Sequence, residues 1–197
     1  MKTLSTITND KPTKLFRNQK AWATWLAKNH EKSTGIWLRF AKKGAGLTSV
    51  TYDEALDVAL CYGWIDGQAK SESEQSYLQK FTPRGRRSIW SKRNVGKAET
   101  LIENETMQAA GLSEIERAKA DGRWDAAYDS PKNASVPDDL RTALNKNKRA
   151  MSFFETLTGR NKYAILFRIQ TAKKPETRAR RIREFVEMLE HGETLYS

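Results

Sequence analysis

Cysteine and histidine are scarce in this sequence, and their scarcity excludes several kinds of chemistry. One cysteine among 197 residues cannot form a disulfide within the chain, which agrees with a reducing compartment. Only two histidines occur, His30 and His191, and both stand where a predicted helix ends. A histidine-rich metal site and a Ser-His-Asp triad are therefore not expected, and we predict no bound metal.

Glycine-rich phosphate-binding patterns are also missing. The sequence contains neither Gly-x-x-x-x-Gly-Lys-Ser/Thr nor Gly-x-Gly-x-x-Gly, the loops that hold nucleotide phosphates against a helix. The segment 43–46, Lys-Gly-Ala-Gly, is too short for either pattern and precedes no suitable helix. Nucleotide-dependent phosphoryl or hydride transfer is accordingly not predicted, and the sequence indicates no cofactor.

Long apolar runs are absent as well. No stretch approaches the roughly 20 apolar residues that a membrane-spanning helix needs. The N-terminus starts like a signal peptide but lacks its continuous apolar region. With 30% charged and 38% hydrophobic residues, the composition is that of a soluble globular protein. We therefore expect a cytoplasmic protein with no membrane insertion.

Acidic residues are rare in residues 141–183, and this scarcity accounts for the positive net charge of the protein. The formal net charge is +11, and residues 141–183 hold 13 Lys or Arg against Glu155 and Glu176. The remaining residues carry 22 basic and 22 acidic side chains, so the entire excess lies in that segment. Such a segment favours an anionic partner such as nucleic acid, a lipid headgroup or phosphate. A solvated basic helix face explains the same charge without any partner.

Strand patterns occur only in the first part of the chain. Residues 36–40 alternate between apolar and more polar side chains, which is typical of a strand with one buried face. Residues 64–69 and 77–82 are two further strand candidates, joined by a polar loop. Thr51 and Glu54 form a capping box that begins a helix before the second strand. These patterns predict a small antiparallel or mixed sheet with flanking helices.

After the strands the apolar pattern is helical. We expect Asn94 to cap a helix that Gly111 ends. Ser113 and Glu116 offer a second capping box for the helix that follows.

The pattern divides the chain into two domains of an α+β protein. A linker rich in Pro, Asn and Ser at residues 129–135 separates the strand-containing part from several further helical segments. We predict an α+β domain at residues 1–130 and a helical module, packed as a C-terminal bundle, at residues 131–197.

One segment collects most of the residues suited to binding a ligand. Between Cys61 and Tyr128, three of the six tryptophans stand beside charged or small polar residues. No carboxylate occurs from Gln75 to Ala98, whereas seven Lys or Arg do. Arginine forks bind phosphate or carboxylate through paired hydrogen bonds, an indole stacks on a base or sugar, and a helix start attracts anions. The predicted ligand-binding residues are Trp64, Asp66, Arg84, Arg86, Trp90, Asn94, Arg123 and Trp124.

The same segment permits other roles. Its arginines and lysines would equally lock loops by pairing with Asp66, Asp125 and Asp129. Asp66 stands two residues from Trp64 beside a glycine, and is a weak candidate for a general base. Cys61 is a weak candidate for a nucleophile, although small buried cysteines are common at the end of an apolar helix.

The order of the motifs resembles a known family. Residues 61–67 read Cys-Tyr-Gly-Trp-Ile-Asp-Gly, 81–84 Phe-Thr-Pro-Arg, 88–94 Ser-Ile-Trp-Ser-Lys-Arg-Asn and 121–128 Asp-Gly-Arg-Trp-Asp-Ala-Ala-Tyr. Together with the tail up to Gly192, they resemble the YdeI/OmpD-associated, or bacteriocin-protection, family over about residues 14–195. The resemblance implies a small soluble protein linked by name to envelope stress or bacteriocin tolerance. It implies no particular reaction.

We therefore predict a cytosolic binding protein with a Trp/Arg/Asp-lined pocket for an anionic or aromatic ligand, either a nucleotide-like small molecule or nucleic acid. Binding through phosphates would weaken steeply as salt rises. Two alternatives remain open. One is a metal-independent enzyme that uses Asp66 or Cys61, and the other is a protein–protein adaptor in which the central tryptophans anchor a partner.

Overall fold

The computed structural model describes residues 11–197, which fall into two compact units. The first unit holds the chain up to Ser88 together with Asn94–Trp124, and the second holds Ile89–Arg93 together with Asp125–Ser197. The signal-peptide-like start concerns residues 1–10 and lies outside the described residues. Eight helices and four strands occur in the described part, so the predicted α+β class is confirmed.

The first unit contains a four-stranded mixed sheet in the order β1-β2-β4-β3. Its strands are β1 (Thr13–Leu15), β2 (Ile36–Ala41), β3 (Trp64–Ser71) and β4 (Ser76–Pro83). β1 runs parallel to β2, whereas β4 is antiparallel to both β2 and β3. The sequence pattern predicts the three longer strands to within two residues of their ends. It does not predict β1, because three residues are too few to show alternation.

Helices α1 (Gln19–Asn29) and α2 (Tyr52–Cys61) share one core with the sheet. The predicted capping box is confirmed, since the Glu54 carboxylate accepts from the Thr51 N–H at 2.8 Å and the Glu54 N–H donates to the Thr51 hydroxyl at 3.3 Å. The indole N–H of buried Trp22 donates to a carbonyl oxygen of α2 at 3.0 Å, which ties α1 to α2. The core is formed by apolar side chains of the helices, the strands and the segments that connect them: Phe16, Trp22, Leu26, Ile36, Leu38, Phe40, Val50, Ala55, Val58, Ala59, Trp64 and Phe81.

Two further helices follow, α3 (Lys92–Glu103) and α4 (Ala109–Ala120). The predicted break at Gly111 is wrong, because α4 begins before this glycine, and before Ser113, and carries both inside it. Gly111 is buried against the end of α2, where an added Cβ would lie 2.6 Å from the carbonyl oxygen of Leu60. Gly111 therefore allows α4 to approach α2 closely, and it does not form a turn.

The second unit is a bundle of four helices. They are α5 (Asp138–Asn145), α6 (Lys148–Thr156), α7 (Gly159–Gln170) and α8 (Pro175–Glu190). Ahead of them, an isolated β-bridge joins Ser91 to Tyr128. The core of the bundle is apolar throughout: Leu140, Leu144, Ala150, Phe154, Leu157, Ile165, Leu166, Ile169, Ile182, Phe185 and Leu189. Across residues 11–197, every helix falls short of the length and apolarity that a membrane crossing requires.

A bidentate ion pair clamps α5 to α8. Arg178 donates from Nε and Nη2 to the two carboxylate oxygens of Asp139 at 2.6 and 2.9 Å. Its Nη1 donates to the carbonyl oxygen of Ile169 in α7 at 3.1 Å. The hydrogen bonds from Arg178 hold the pKa of Asp139 below its ordinary value. One guanidinium thus joins three helices of the bundle.

Replacing Gly111 with alanine is expected to destabilise the protein by about 2 kcal/mol or more, because the new methyl group would overlap backbone carbonyl oxygens that cannot move aside. Gly96 provides the matched control, since it is an exposed glycine inside α3 with nothing within 4 Å of an added Cβ. Gly96→Ala should leave stability unchanged or raise it by up to about 1 kcal/mol. Urea unfolding of both variants measures the difference, and equal stabilities would contradict this packing.

Asp139→Asn should cost about 1 kcal/mol at pH 7, because the pair with Arg178 is partly exposed. The folded-state pKa of Asp139 is lowered, so its stabilisation is full above the unfolded-state pKa and is lost as the pH falls through the folded-state value. The gap between wild type and variant should therefore close below about pH 4. Asp138→Asn is the control, since Asp138 has no ion-pair partner among residues 11–197. A gap that persists at low pH would contradict this account.

Candidate functional site

Trp64, the first of the predicted site residues, is a core residue at the start of β3. It is 1% exposed, and its indole N–H donates to the carbonyl oxygen of His30 at 3.2 Å. The ring packs edge-on against Trp22 and Trp25, with centroid distances of 6.2 and 5.9 Å. The indole is therefore used inside the core of the first unit.

Asp66 lies two residues further along β3 and ties this strand to α2. Its carboxylate accepts a hydrogen bond from the hydroxyl of Tyr52, the first residue of α2, at 2.8 Å. Beyond Asp66 the register between β3 and β4 shifts, and the side-chain amide of Gln79 donates to the carbonyl oxygen of Gly67 at 2.7 Å. The glycine beside Asp66 thus serves a β-bulge. Asp66 has a structural partner, which is a tyrosine and not the expected arginine.

Arg123 is held by its own loop. It is 5% exposed, and its Nε donates to both carboxylate oxygens of Asp121 at 2.7 and 2.8 Å. Its Nη1 donates to the carbonyl oxygen of Ser88 at 2.7 Å. The arginine therefore locks a loop, but through a carboxylate two residues away that the sequence interpretation did not consider.

Arg84 and Arg123 lie close to Glu114 of α4, together with Arg117. Burial raises the pKa of Glu114, and the positive charges of Arg117, Arg84 and Arg123 oppose this rise. The Glu114 carboxylate also pairs with Arg117 one helical turn away. The structure therefore brings two of the eight predicted residues together, around an acid and a third arginine that the sequence interpretation missed. The sequence signal for this ion pair was the spacing of Glu114 and Arg117, which stand three residues apart in one helix.

The other predicted residues differ in burial and in the unit to which they belong. Arg86 is exposed, and Asn94 is buried inside α3 instead of capping it. Trp90 belongs to the second unit, whereas the other seven predicted residues belong to the first. Trp64, Trp90 and Trp124 are 1%, 2% and 8% exposed. The adaptor hypothesis needs exposed tryptophans as anchors, and these three are buried.

Cys61 lies on the wall of a cavity of about 330 Å³ in the first unit. Burial raises the pKa of its thiol to about 11, and the charge of Asp57 adds to the rise. At neutral pH the thiol therefore stays protonated, whereas a nucleophile requires the thiolate. With Asp66 bonded to a tyrosine, neither catalytic candidate gains support from its surroundings.

A larger cavity in the second unit lies along α7. Its volume is about 510 Å³, which falls in the range of roughly 300–1,000 Å³ found for small-molecule sites. We call it the Tyr196 cavity. Its lining is mostly apolar or aromatic, with two arginines: Pro131, Gly159, Arg160, Tyr163, Ala164, Phe167, Arg168 and Tyr196.

Five of these residues form a single stripe on α7. Arg160, Tyr163, Ala164, Phe167 and Arg168 follow the spacing i, i+3, i+4, i+7, i+8, which places them on one face of a helix. The centre of the stripe is apolar, and each end carries a guanidinium group. Eight residues of helix separate the two arginine backbones by about 12 Å.

Tyr196 completes the cavity. The buried side chain of Asn161 holds its backbone through two hydrogen bonds of 3.0 Å, one accepted by the carbonyl oxygen and one donated by the N–H of Tyr196. The guanidinium carbons of Arg160 and Arg168 lie 4.3 and 5.8 Å from the centroid of the Tyr196 ring. Both positive charges therefore stand next to the same aromatic ring.

Neither arginine of the cavity is neutralised by an acid. Within residues 11–197, no carboxylate pairs with Arg160 or Arg168. By contrast, Arg178 pairs with Asp139, and Arg180 pairs with a glutamate of its own helix. Two unpaired guanidinium groups beside aromatic rings make the cavity cationic and apolar at once.

The two aromatic side chains of the cavity wall, Tyr163 and Phe167, are held in place by contacts with residues outside the cavity. The Tyr163 hydroxyl donates to the backbone carbonyl oxygen of Asp129 at 2.9 Å. Burial raises the pKa of Tyr163, so the hydroxyl keeps the proton that it donates. The Phe167 ring packs edge-on against Tyr128, with a centroid distance of 4.9 Å. The wall is therefore preformed.

Asp129 forms one of the loop locks that the sequence predicts. Its carboxylate accepts from the ammonium of Lys92 at 2.9 Å and from the side-chain amide of Gln170 at 2.9 Å. The hydrogen bond from Lys92 is the main reason that the pKa of Asp129 is lowered. This lock lies wholly within the second unit.

Sequence interpretation missed the Tyr196 cavity. It names none of Arg160, Tyr163, Phe167 and Arg168 as a binding residue. The usable signal was an apolar stripe with an arginine at both ends, since an ordinary amphipathic helix keeps its charges on the opposite face. Among residues 11–197, no group of three His, Cys, Asp or Glu side chains is arranged to hold a metal ion.

Comparison with known proteins gives two family matches. Residues 14–114, just over half of the chain, match the domain of unknown function DUF8412. Residues 133–192 match the family described as bacteriocin-protection, YdeI or OmpD-associated, which confirms the resemblance for the C-terminal part. No curated protein and no solved structure matches the chain. The chain therefore belongs to the family of the domain of unknown function DUF8412, and its C-terminal part matches the bacteriocin-protection, YdeI or OmpD-associated family.

Proposed function

We propose that this protein binds a small molecule with an anionic group next to an apolar or aromatic part, and that the Tyr196 cavity is its site. The observation that carries the proposal is the pair Arg160 and Arg168, which flank an aromatic wall without a carboxylate partner. The sequence also predicts an anionic or aromatic ligand, but it assigns the binding to different residues. The name of the C-terminal family suggests a role in bacteriocin tolerance. A cytoplasmic location and a link to stress are further parts of the proposal.

Charge is the first support for an anionic ligand. A guanidinium group is ionised at any physiological pH, and a hydrogen bond to a charged group contributes about 1.5–3 kcal/mol. The start of α7 adds to the attraction, because Gly159 and Arg160 occupy its first turn and backbone N–H groups there favour negative charge. A ligand anion would supply the negative charge that this end of the helix lacks.

The shape of the cavity favours a small molecule over nucleic acid. A nucleic acid is held by many cations along its phosphates, which requires an extended basic track. Three of the 13 basic residues in 141–183 are used inside the unit, since Arg178 and Arg180 pair with carboxylates and Arg181 bonds to the carbonyl oxygen of Arg168. The two arginines that remain at the cavity suit one anionic group.

Titration with the fluorescent probe anilinonaphthalene sulfonate tests the proposal, with uncharged N-phenylnaphthylamine as the matched probe. The wild-type protein should bind the sulfonate at least tenfold more tightly than the amine. The double variant Arg160→Gln, Arg168→Gln should lose that tenfold preference, because the apolar wall remains while both charges are gone.

Arg183→Gln is the control variant, since Arg183 is an exposed arginine of α8 that does not line the cavity. It should keep the preference for the sulfonate, and thermal unfolding should show that all variants are folded. An equal loss in the control would show that general charge is responsible. Tight, steeply salt-dependent binding of a single-stranded oligonucleotide that survives the double substitution would overturn the proposal in favour of nucleic acid.

A further inference from the structure

A second cavity of the helical unit adjoins the Tyr196 cavity. Its volume is about 310 Å³, and the two cavities share three lining residues, Pro131, Gly159 and Tyr163. Because three residues border both, the two cavities are neighbours and share the Tyr163 side chain as lining. We call the second one the Phe154 cavity. Its remaining walls come from the loop before α5, from α6 and from α7: Ala134, Val136, Phe154, Glu155, Lys162 and Leu166.

The Phe154 cavity differs from its neighbour in charge. It contains no arginine, and its one ammonium group, on Lys162, donates to the backbone carbonyl oxygen of Glu155 at 2.8 Å. Ala134, Val136 and Leu166 offer only hydrocarbon, and so does the ring of Phe154. Apart from the side chains of Lys162 and Glu155, the surface left for a ligand is therefore apolar, whereas the Tyr196 cavity carries two guanidinium groups without an acid partner among residues 11–197.

Tyr163 borders both cavities. Its hydroxyl is tied to the carbonyl oxygen of Asp129 at 2.9 Å, so the polar end of the side chain is used and the ring is held in place. An aromatic ring between a cationic and an apolar cavity is a surface over which a hydrocarbon chain can pass without loss of hydrogen bonds.

We propose, resting on the proposed function above, that the two cavities together bind an amphiphilic anion. The anionic head, a carboxylate or a phosphate monoester, lies between Arg160 and Arg168. An unbranched alkyl chain crosses the ring of Tyr163 and fills the Phe154 cavity.

An alkyl chain fits the Phe154 cavity better than a peptide does. A peptide brings N–H and C=O groups, and each of these loses free energy when it is buried without a partner. The Lys162 ammonium is already bonded to the protein, and apart from the Glu155 carboxylate the walls are hydrocarbon and provide no partners. A chain of methylene groups needs none, and it gains from every group that leaves water.

Displacement of anilinonaphthalene sulfonate by octanoate, decanoate and dodecanoate tests the inference, at concentrations at which the acids are monomeric. Affinity for the wild-type protein should rise by about two- to fourfold for each added methylene, because each one is buried in the Phe154 cavity. Ala134→Phe should fill this cavity and flatten the dependence on chain length, while the arginine-dependent binding of the sulfonate persists.

Ala179→Phe is the matched control, since Ala179 is exposed on α8 and lines neither cavity. It should keep the dependence on chain length. Val136→Thr supplies a smaller change if Ala134→Phe fails to fold, and its hydroxyl should weaken dodecanoate severalfold more than octanoate.

The outcomes separate the two proposals. If the sulfonate binds through Arg160 and Arg168 but dodecanoate binds no more tightly than octanoate, the alkyl chain is wrong and the anion site stands. If affinity rises with chain length but Ala134→Phe leaves the rise unchanged, the chain lies elsewhere and the inference is also overturned. Loss of the arginine dependence itself overturns the proposed function.

Discussion

The cavities of the helical unit depend on Asp129, which forms hydrogen bonds in four directions. Its carboxylate accepts from Lys92 and Gln170, its backbone N–H donates to Gln170, and its carbonyl oxygen accepts from Tyr163. The hydrogen bond from Lys92 lowers the pKa of the carboxylate, so the lock persists in neutral solution. Because Tyr163 borders both cavities, the position of Asp129 sets the wall between them.

Helix α7 satisfies two requirements at once. One side buries Ile165 and Ile169 completely, which the bundle needs in order to fold. The other side carries the stripe that begins at Arg160 and ends at Arg168. Both cations lie beside the Tyr196 ring, and Arg168 also donates to the carbonyl oxygen of Ala164 at 3.2 Å. The residues of the proposed site therefore also help to hold Tyr196 in place.

Local signals made much of the fold predictable. The capping box at Thr51 and Glu54 and the alternation in residues 36–40 both involve side chains within a few positions of each other. The role of Gly111 was not predictable in this way. A glycine that ends a helix and a glycine that admits a neighbouring backbone look the same in sequence, and only the contact with α2 distinguishes them.

The predicted site shows the limit of composition as evidence. Trp64 and Arg123 stand among residues typical of ligand binding, yet the structure gives them internal partners in His30 and Asp121. The basic excess of residues 141–183 shows the same limit. A count gives equal weight to Arg178, which pairs with a carboxylate, and to Arg160, which has no carboxylate partner among residues 11–197. Whether a cation meets a carboxylate depends on tertiary packing. Arg160 and Arg168 combine two features, the lack of an acid partner among residues 11–197 and a position beside the Tyr196 ring.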